Sequence, residues 1–431
     1  MDRKIMRYLQ VWKESVHRKP LILQGARQVG KTWSILEFGR THYDNVAYFN
    51  FETNPKLNET FDENISPDYL IPILSHIAGQ TIVKDKTLIV FDEVQLCERA
   101  LTSLKYFCED APEYHIIVAG SLLGVAVNRA KFSFPVGKVD MKTLYPMDVE
   151  EFMLAMGEGA LVERIKECFR TDTPMPSALH DAAMQLYRQY LVVGGMPECV
   201  MQFVQTKDYI LVRHTQDTIL ASYLNDMSKY NNLNEIKKTR LAYDNITVQL
   251  SKKNTRFQYK LIKKGGRASE FENSIEWLCL SGIVSQVYRV EQIKKPLENY
   301  RDIDAFKIYV SDLGLLCAKK NLVANDVLYM VEELNDFKGG MAENYVHVQL
   351  TINGYPTYYW ESDRGAEVDF VIQREGQLIP IEVKSADNTR AKSLKVYMDT
   401  YKPAYAIKLS TKNFGFEDGK KTVPLYAAFC I

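Results

Sequence analysis

The segment Gly25-Ala26-Arg27-Gln28-Val29-Gly30-Lys31-Thr32 has the form G-x-x-x-x-G-K-[ST]; it lies between the apolar run LILQ and a helical pattern that Trp33 opens, WSILEFGR. That order of strand, loop and helix is the context in which the motif binds phosphate. Glycines at 25 and 30 let the backbone bend around phosphate oxygens, so that amide N–H groups and the helix N-terminus face the anion. Lys31 would reach the β- and γ-phosphates and Thr32 would place its hydroxyl on Mg²⁺, with residues 25–33 forming the nucleotide contact. The competing reading, a chance glycine-rich turn, must place strand, loop, Lys-Thr and helix together by accident.

Sixty residues beyond Thr32, Leu88-Ile89-Val90-Phe91 runs into Asp92-Glu93. Four apolar residues indicate a buried central strand, and ligands gather at the C-terminal ends of such strands. Asp92 is expected to hold Mg²⁺ through water and Glu93 to polarise an attacking water. The alternative is an Asp-Glu pair that only caps the next helix. A third strand, His115 to Gly120, ends at Ser121, whose hydroxyl is positioned to meet a γ-phosphate or the catalytic water; Gly-Ser is equally an ordinary turn.

A second set of chemistry-bearing residues lies near the end of the chain. Asp369 falls in EVDFVI, Glu382 and Lys384 in IPIEVKS, and Glu375-Gly376 between them suits a two-residue hairpin loop. That loop sets Asp369 opposite Glu382, with Lys384 on the same face and Glu367 opposite it. Adjacent carboxylates repel unless a cation neutralises them. A divalent metal held by Asp369 and Glu382 would do so, with Lys384 orienting a water for phosphodiester attack. The alternative is a scaffold whose carboxylates pair with Lys384 and Arg364.

The elements that must carry these residues follow from the apolar pattern. Over residues 20–145 short apolar runs alternate with helical patterns, as in βα units around a parallel sheet. Residues 151–230 read as helices, broken by Gly194-Gly195 and Pro197; the stretch from 231 to 310 ends in two strand-like runs, IVSQVYRV and AFKIYV. Beyond 335 a helix precedes the strands PTYYWES, AEVDFVI, LIPIEVKS and AYAIKLS.

GARQVGKT, FDEV, AGS and LYPMDVEEF resemble the AAA-type P-loop ATPases of bacteria and archaea that carry an extra C-terminal domain. YLVVGGMPE, KIYVSDLGLL, GAEVDFVI and IEVKS are similar to that family's C-terminal half. The D…ExK pattern resembles the PD-(D/E)xK nuclease fold, in which a preceding helix adds a Glu; Glu343 in MAENYVHVQL stands at that place. The resemblance implies an α/β protein in four parts: an AAA-type ATPase core with a parallel sheet (1–150), a helical lid or connector (151–230), a winged-helix-like region (231–330) and a restriction-endonuclease-like α/β domain (331–431). It implies Asp92 and Glu93 as the Walker B pair, Ser121 as sensor and an arginine finger from a neighbouring copy, for which Arg129 is the candidate and Arg99 its competitor; relatives often carry Arg where this chain has Lys138.

The cofactor set expected on this basis is ATP with Mg²⁺, and a second divalent metal at Asp369 and Glu382, within a candidate nuclease site that Glu343 and Lys384 complete. Hydrolysis coupled to conformational change is the leading function. A nucleotide-dependent switch with slow turnover and a non-cleaving, docking C-terminal domain is the alternative.

Composition bounds these readings. Of the 431 residues 54 are basic and 54 acidic, so overall charge offers no argument for nucleic acid. One stretch departs from that balance: residues 229–267 hold eleven basic residues against Glu235 and Asp244, a net of +9. DNA or RNA contact through its phosphates is expected there, against the plainer reading of a solvated face. No apolar run reaches the length of a membrane span and the N-terminus lacks a secretory pattern, so a cytoplasmic protein is expected. Seven scattered cysteines without CxxC read as reduced thiols, and seven histidines never pair at i, i+4, so no zinc helix is expected.

Overall fold

The computed structural model describes residues 3–120, 134–229, 233–250, 256–385 and 392–431. The chain divides into two compact units: one comprises residues 1–145 with 280–282, the other residues 146–279 with 283–431.

The first unit is an all-parallel five-stranded sheet. Its strands are β1 (Leu21–Gln24), β2 (Asn45–Asn50), β3 (Thr87–Asp92), β4 (His115–Gly120) and β5 (Asp140–Thr143), in the order β2-β3-β4-β1-β5. Around it lie α1 (Lys4–Glu14), α2 (Lys31–His42), α3 (Leu57–Glu63), α4 (Pro67–Ala78) and α5 (Glu98–Asp110). All six residues of β3 are buried, as a strand covered on both faces requires. Phe49, Phe51, Phe61 and Phe91 meet edge to face or tilted in one core, with ring centroids 5.5–5.9 Å apart. The connection leaving β1 runs to β2 at one edge, while that leaving β4 runs to β5 at the other. The strand order therefore reverses between β4 and β1, and α/β sheets bind ligands at the C-terminal ends of the strands at such a switch.

The second unit holds a mixed sheet of eight strands: β6 (Val284–Val290), β7 (Arg301–Val310), β8 (Tyr358–Glu361), β9 (Glu367–Arg374), β10 (Gln377–Val383), β11 (Ala406–Ser410), β12 (Gly415–Glu417) and β13 (Lys420–Pro424). Their order is β12-β13-β11-β10-β9-β8-β6-β7. The β9–β10 hairpin turns on Glu375 and Gly376, at φ 49° and 76°, the left-handed pair that a two-residue loop needs. Its register is the expected one, running from Arg374↔Gln377 to Phe370↔Ile381. Val290, Tyr358, Trp360, Val371, Leu394 and Tyr397 form a core beneath this sheet.

The expected division at residues 230 and 330 is not how the second unit is built. β6 and β7, read from sequence as the strand pair of a winged helix, belong to the same sheet as the C-terminal strands, because β6 pairs in parallel with β8. The reason lies in β7, where Ala305–Val310 is buried at every position, whereas a wing would be solvated on one face. The helical stretch after residue 150 joins the same unit. His180 contacts the Tyr426 hydroxyl and the Thr411 carbonyl at 3.0 and 3.1 Å, and Met175 and Asn413 exchange two hydrogen bonds.

Three of the strings that carry the resemblance converge inside this unit. Asp312 accepts from the Gly195 and Leu315 N–H groups at 2.6 and 2.8 Å, and the Gly195 carbonyl accepts from the Met147 N–H at 2.7 Å. Asp148 and Glu151 close a capping box at the start of the helix Val149–Ala155. Among the described residues no helix is long and apolar enough to cross a membrane, and the seven cysteines are free thiols.

Candidate functional site

Gly25 leaves β1 at φ 148°, and Gln28 and Gly30 follow at 66° and 90°, so the backbone curls back on itself before α2 begins. A Cβ on Gly25 would lie 2.1 Å from the Leu144 carbonyl oxygen, which no side chain can accommodate. The loop is braced from behind by Arg3, 5% exposed, whose guanidinium donates to the carbonyls of Val29 at 3.0 Å and Tyr145 at 2.9 Å.

Lys31 donates to the carbonyls of Gly25 at 2.9 Å and Ala26 at 2.8 Å, so its ammonium lies in the mouth of the loop. Burial lowers its pKa to about 8, with Arg27 acting in the same direction and the carboxylates of Glu93 and Asp92 opposing. The Thr32 hydroxyl donates to Asp92 Oδ2 at 2.9 Å, and the Tyr48 hydroxyl to the same oxygen at 2.8 Å. The other carboxylate oxygen accepts the Glu93 N–H at 3.0 Å. Glu93 itself sits in the left-handed region at φ 52°, and its carboxylate accepts from the Gln95 amide.

These residues fit a magnesium nucleotide. A hydroxyl and a carboxylate 2.9 Å apart form a hard-oxygen pair at the end of β3, facing a loop whose lysine is already aimed inward. Thr32 would ligate Mg²⁺ and Asp92 would hold it through water. The ion would neutralise charge on the phosphates. Trp33, 47% exposed, lies in the first turn of α2 next to Thr32.

The strand that ends at Gly120 pairs with β3, as expected; Ser121 and Arg129 lie outside the described residues. Arg99, the other candidate finger, donates to the Phe61 carbonyl at 2.7 Å and lies 3.8 Å from Asp62. Lys138 pairs with Glu109 at 2.7 Å. Arg3, Tyr48 and Gln95 were not singled out by sequence. Nothing local marks them, since each acts across the fold or on an irregular turn.

The second set also assembles. Asp369 Oδ2 accepts the Val383 N–H at 2.7 Å, and Lys384 pairs with Glu382. Glu343, on the helix Asn335–Ile352, accepts from the Tyr309 hydroxyl at 2.9 Å and pairs with Lys307 at 3.3 Å. Lys307, 1% exposed and on β7, bridges to Glu367 at 2.5 Å. Burial, then the neighbouring Glu343 and Glu382 carboxylates, push Asp369 well above the carboxylate range; burial also raises Glu382. Among the described residues no three His, Cys, Asp or Glu side chains are grouped to hold a metal ion, although Glu343 and Glu382 both lie near enough to Asp369 to raise it. Sequence reasoning passed over Lys307, although a lysine inside the apolar run AFKIYV was the available signal.

In the basic segment, Lys237, Arg240, Lys260, Lys263, Lys264 and Arg267 are exposed, while Lys238 pairs with Glu235 and Lys263 with Glu270. Lys252 and Lys253 lie outside the described residues.

Comparison with known proteins agrees with the first site. Residues 17–153 match the family model of an AAA domain, and residues 184–326 and 338–428 match two domains of unknown function, DUF8612 and DUF4143. No curated protein matches the chain. Solved structures that match include the Aeropyrum pernix ORC2 protein in ADPNP–ADP complexes (13% identity, 78% of this chain and 93% of that one, TM-score 0.35). Others are a Thermotoga maritima RuvB variant (14%, 66% and 89%, 0.30) and the Aeropyrum pernix ORC1 protein in complex with DNA (12%, 74% and 91%, 0.28). At such TM-scores they support nothing further. The phosphate loop, the buried carboxylate of Asp92 at the end of β3 and the family match agree that residues 17–153 form an AAA-type P-loop ATPase domain.

Proposed function

We propose that this chain binds Mg-ATP at Gly25–Trp33 and hydrolyses it, with the change of bound state driving conformational change in the rest of the molecule. The observation that carries the reading is the 2.9 Å contact between Thr32 and Asp92, which joins the two halves of a phosphate-metal site across sixty residues. In this reading Lys31 holds the β- and γ-phosphates and Glu93 orients and polarises the attacking water. Ser121 contacts the γ-phosphate, and Arg129 of one copy completes the site of another. Nucleic acid is the proposed target, through phosphate contacts of the exposed basic residues between 229 and 267.

A second reading is a nucleotide switch with slow turnover. It is supported by the Gln95 amide, which engages the Glu93 carboxylate that a water would need.

The test compares Lys31→Ala with Glu93→Gln for ATP binding and hydrolysis, each with and without duplex DNA and RNA. Lys31→Ala should lose binding; Glu93→Gln should retain it while turnover falls roughly 10²–10⁴-fold. Binding by the wild type without measurable turnover would establish the switch. A rate indifferent to both nucleic acids would remove the proposed target.

A further inference from the structure

The carboxylate cluster of the second unit has the residue types of a metal-dependent phosphodiesterase, and two lysines of the chain, Lys307 and Lys384, pair with three of its four carboxylates. Lys307 projects from β7 and pairs with Glu343 at 3.3 Å and Glu367 at 2.5 Å. The Tyr309 hydroxyl, two residues along the same strand, donates to Glu343 at 2.9 Å. The backbone N–H of Val383 occupies Asp369 Oδ2, and Lys384 occupies one oxygen of Glu382. A lysine 1% exposed in the buried half of β7, Ala305–Val310, is costly to desolvate, and it is retained only where anions surround it. Its strand reaches the cluster because β7 and β6 join the C-terminal sheet through β8.

We propose that the Lys307 ammonium is a built-in cation that stands in place of a metal ion in this cluster, leaving the second unit with a nuclease-like but metal-free, non-cleaving centre. A divalent ion needs several carboxylate oxygens turned to one point. Here Glu343 and Glu367 turn to Lys307 instead. Among the described residues Glu382 Oε2 is a carboxylate oxygen of the cluster left buried without a donor. The centre then serves as a rigid polar core of the second unit. This inference is independent of the ATPase reading, because it concerns the second unit alone.

The experiment is a Mn²⁺ titration of the full-length, nucleotide-free protein, with free Mn²⁺ read by electron paramagnetic resonance. Wild type and Asp369→Asn should give superimposable curves, since any ion taken up by the first unit is common to both. Lys307→Met should gain an equivalent of bound Mn²⁺ that Lys307→Met with Asp369→Asn does not. Its melting temperature should fall by roughly 5–10 °C without metal and recover as Mn²⁺ is added. Loss of bound ion in Asp369→Asn relative to wild type would overturn the proposal, as would a folded Lys307→Met that binds no extra Mn²⁺. If Lys307→Met does not fold, the comparison of wild type with Asp369→Asn still decides. DNA cleavage by wild type that Asp369→Asn abolishes would overturn it equally.

Discussion

Lys31 is the residue at which local chemistry is most exposed to test. Burial in the phosphate loop holds its pKa near 8 rather than the usual lysine value of about 10.4. The protonated form binds phosphate, and a bound anion favours that form, so ATP affinity of the nucleotide-free protein should be level below about pH 7. It should then fall as pH rises through 8, approaching about tenfold per unit. Quenching of Trp33, exposed beside the loop, reports the titration; affinity unchanged up to pH 9.5 would show that Lys31 is not the titrating contact. Lys31, Thr32 and Asp92 were legible because a short motif and an apolar strand each announce themselves locally. Arg3 and Tyr48 were not, because a buried arginine 26 residues from its acceptor leaves no periodic trace.

At the scale of elements, what sequence disclosed best was the β9–β10 hairpin. A two-residue loop fixes register completely, and register fixed the face shared by Asp369 and Glu382. What it concealed was β6–β8, a parallel pairing across more than sixty residues that no turn dictates. The joint of Met147, Gly195 and Asp312 gives those otherwise unexplained strings a structural reason. A Cβ on Gly195 would lie 1.9 Å from the Met147 carbonyl oxygen, and backbone cannot yield as a side chain can. Gly195→Ala should therefore destabilise the second unit by about 3 kcal/mol or more, while leaving ATP binding by the first intact. A shift in the urea midpoint worth less than about 1 kcal/mol would mean the joint accommodates the methyl and is not a fixed point of the fold.

For the whole molecule, zero net charge proved to be an average: the +9 block between 229 and 267 is hidden by an acidic remainder, and burial adds differences that formal charge cannot express. Each unit contains a histidine held neutral. His115 lies against the Tyr43 hydroxyl at 2.7 Å and Asp85 at 3.2 Å; burial, then the charge of Arg18, lowers its pKa to about 4 although Asp85 acts the other way. His347 lies between the Ser285 and Thr357 hydroxyls at 2.5 and 3.0 Å, and burial lowers it to about 3.

Unfolded histidine takes up a proton near pH 6.5, so each contributes stability that is present above that pH and lost as pH falls toward the folded value, at most about 1.4 kcal/mol per unit. Asp312 has the opposite sign. Burial raises it to about 6 against four backbone N–H groups, so the folded state gains relative to the unfolded one as pH falls from about 6 to 4. In the second unit Asp312 offsets His347, and Asp369 and Glu382, raised in the same direction, add to that offset, whereas in the first His115 acts unopposed by such a group. From pH 7 to 4.5 the first unit should thus lose about 2–3 kcal/mol through His115, and the second little through His347 and Asp312 together. Trp12 and Trp33 report one unit and Trp277 and Trp360 the other, so urea unfolding of variants keeping one tryptophan pair separates them. His115→Gln should flatten the pH dependence of the first unit; an unchanged slope would exclude His115 as its origin.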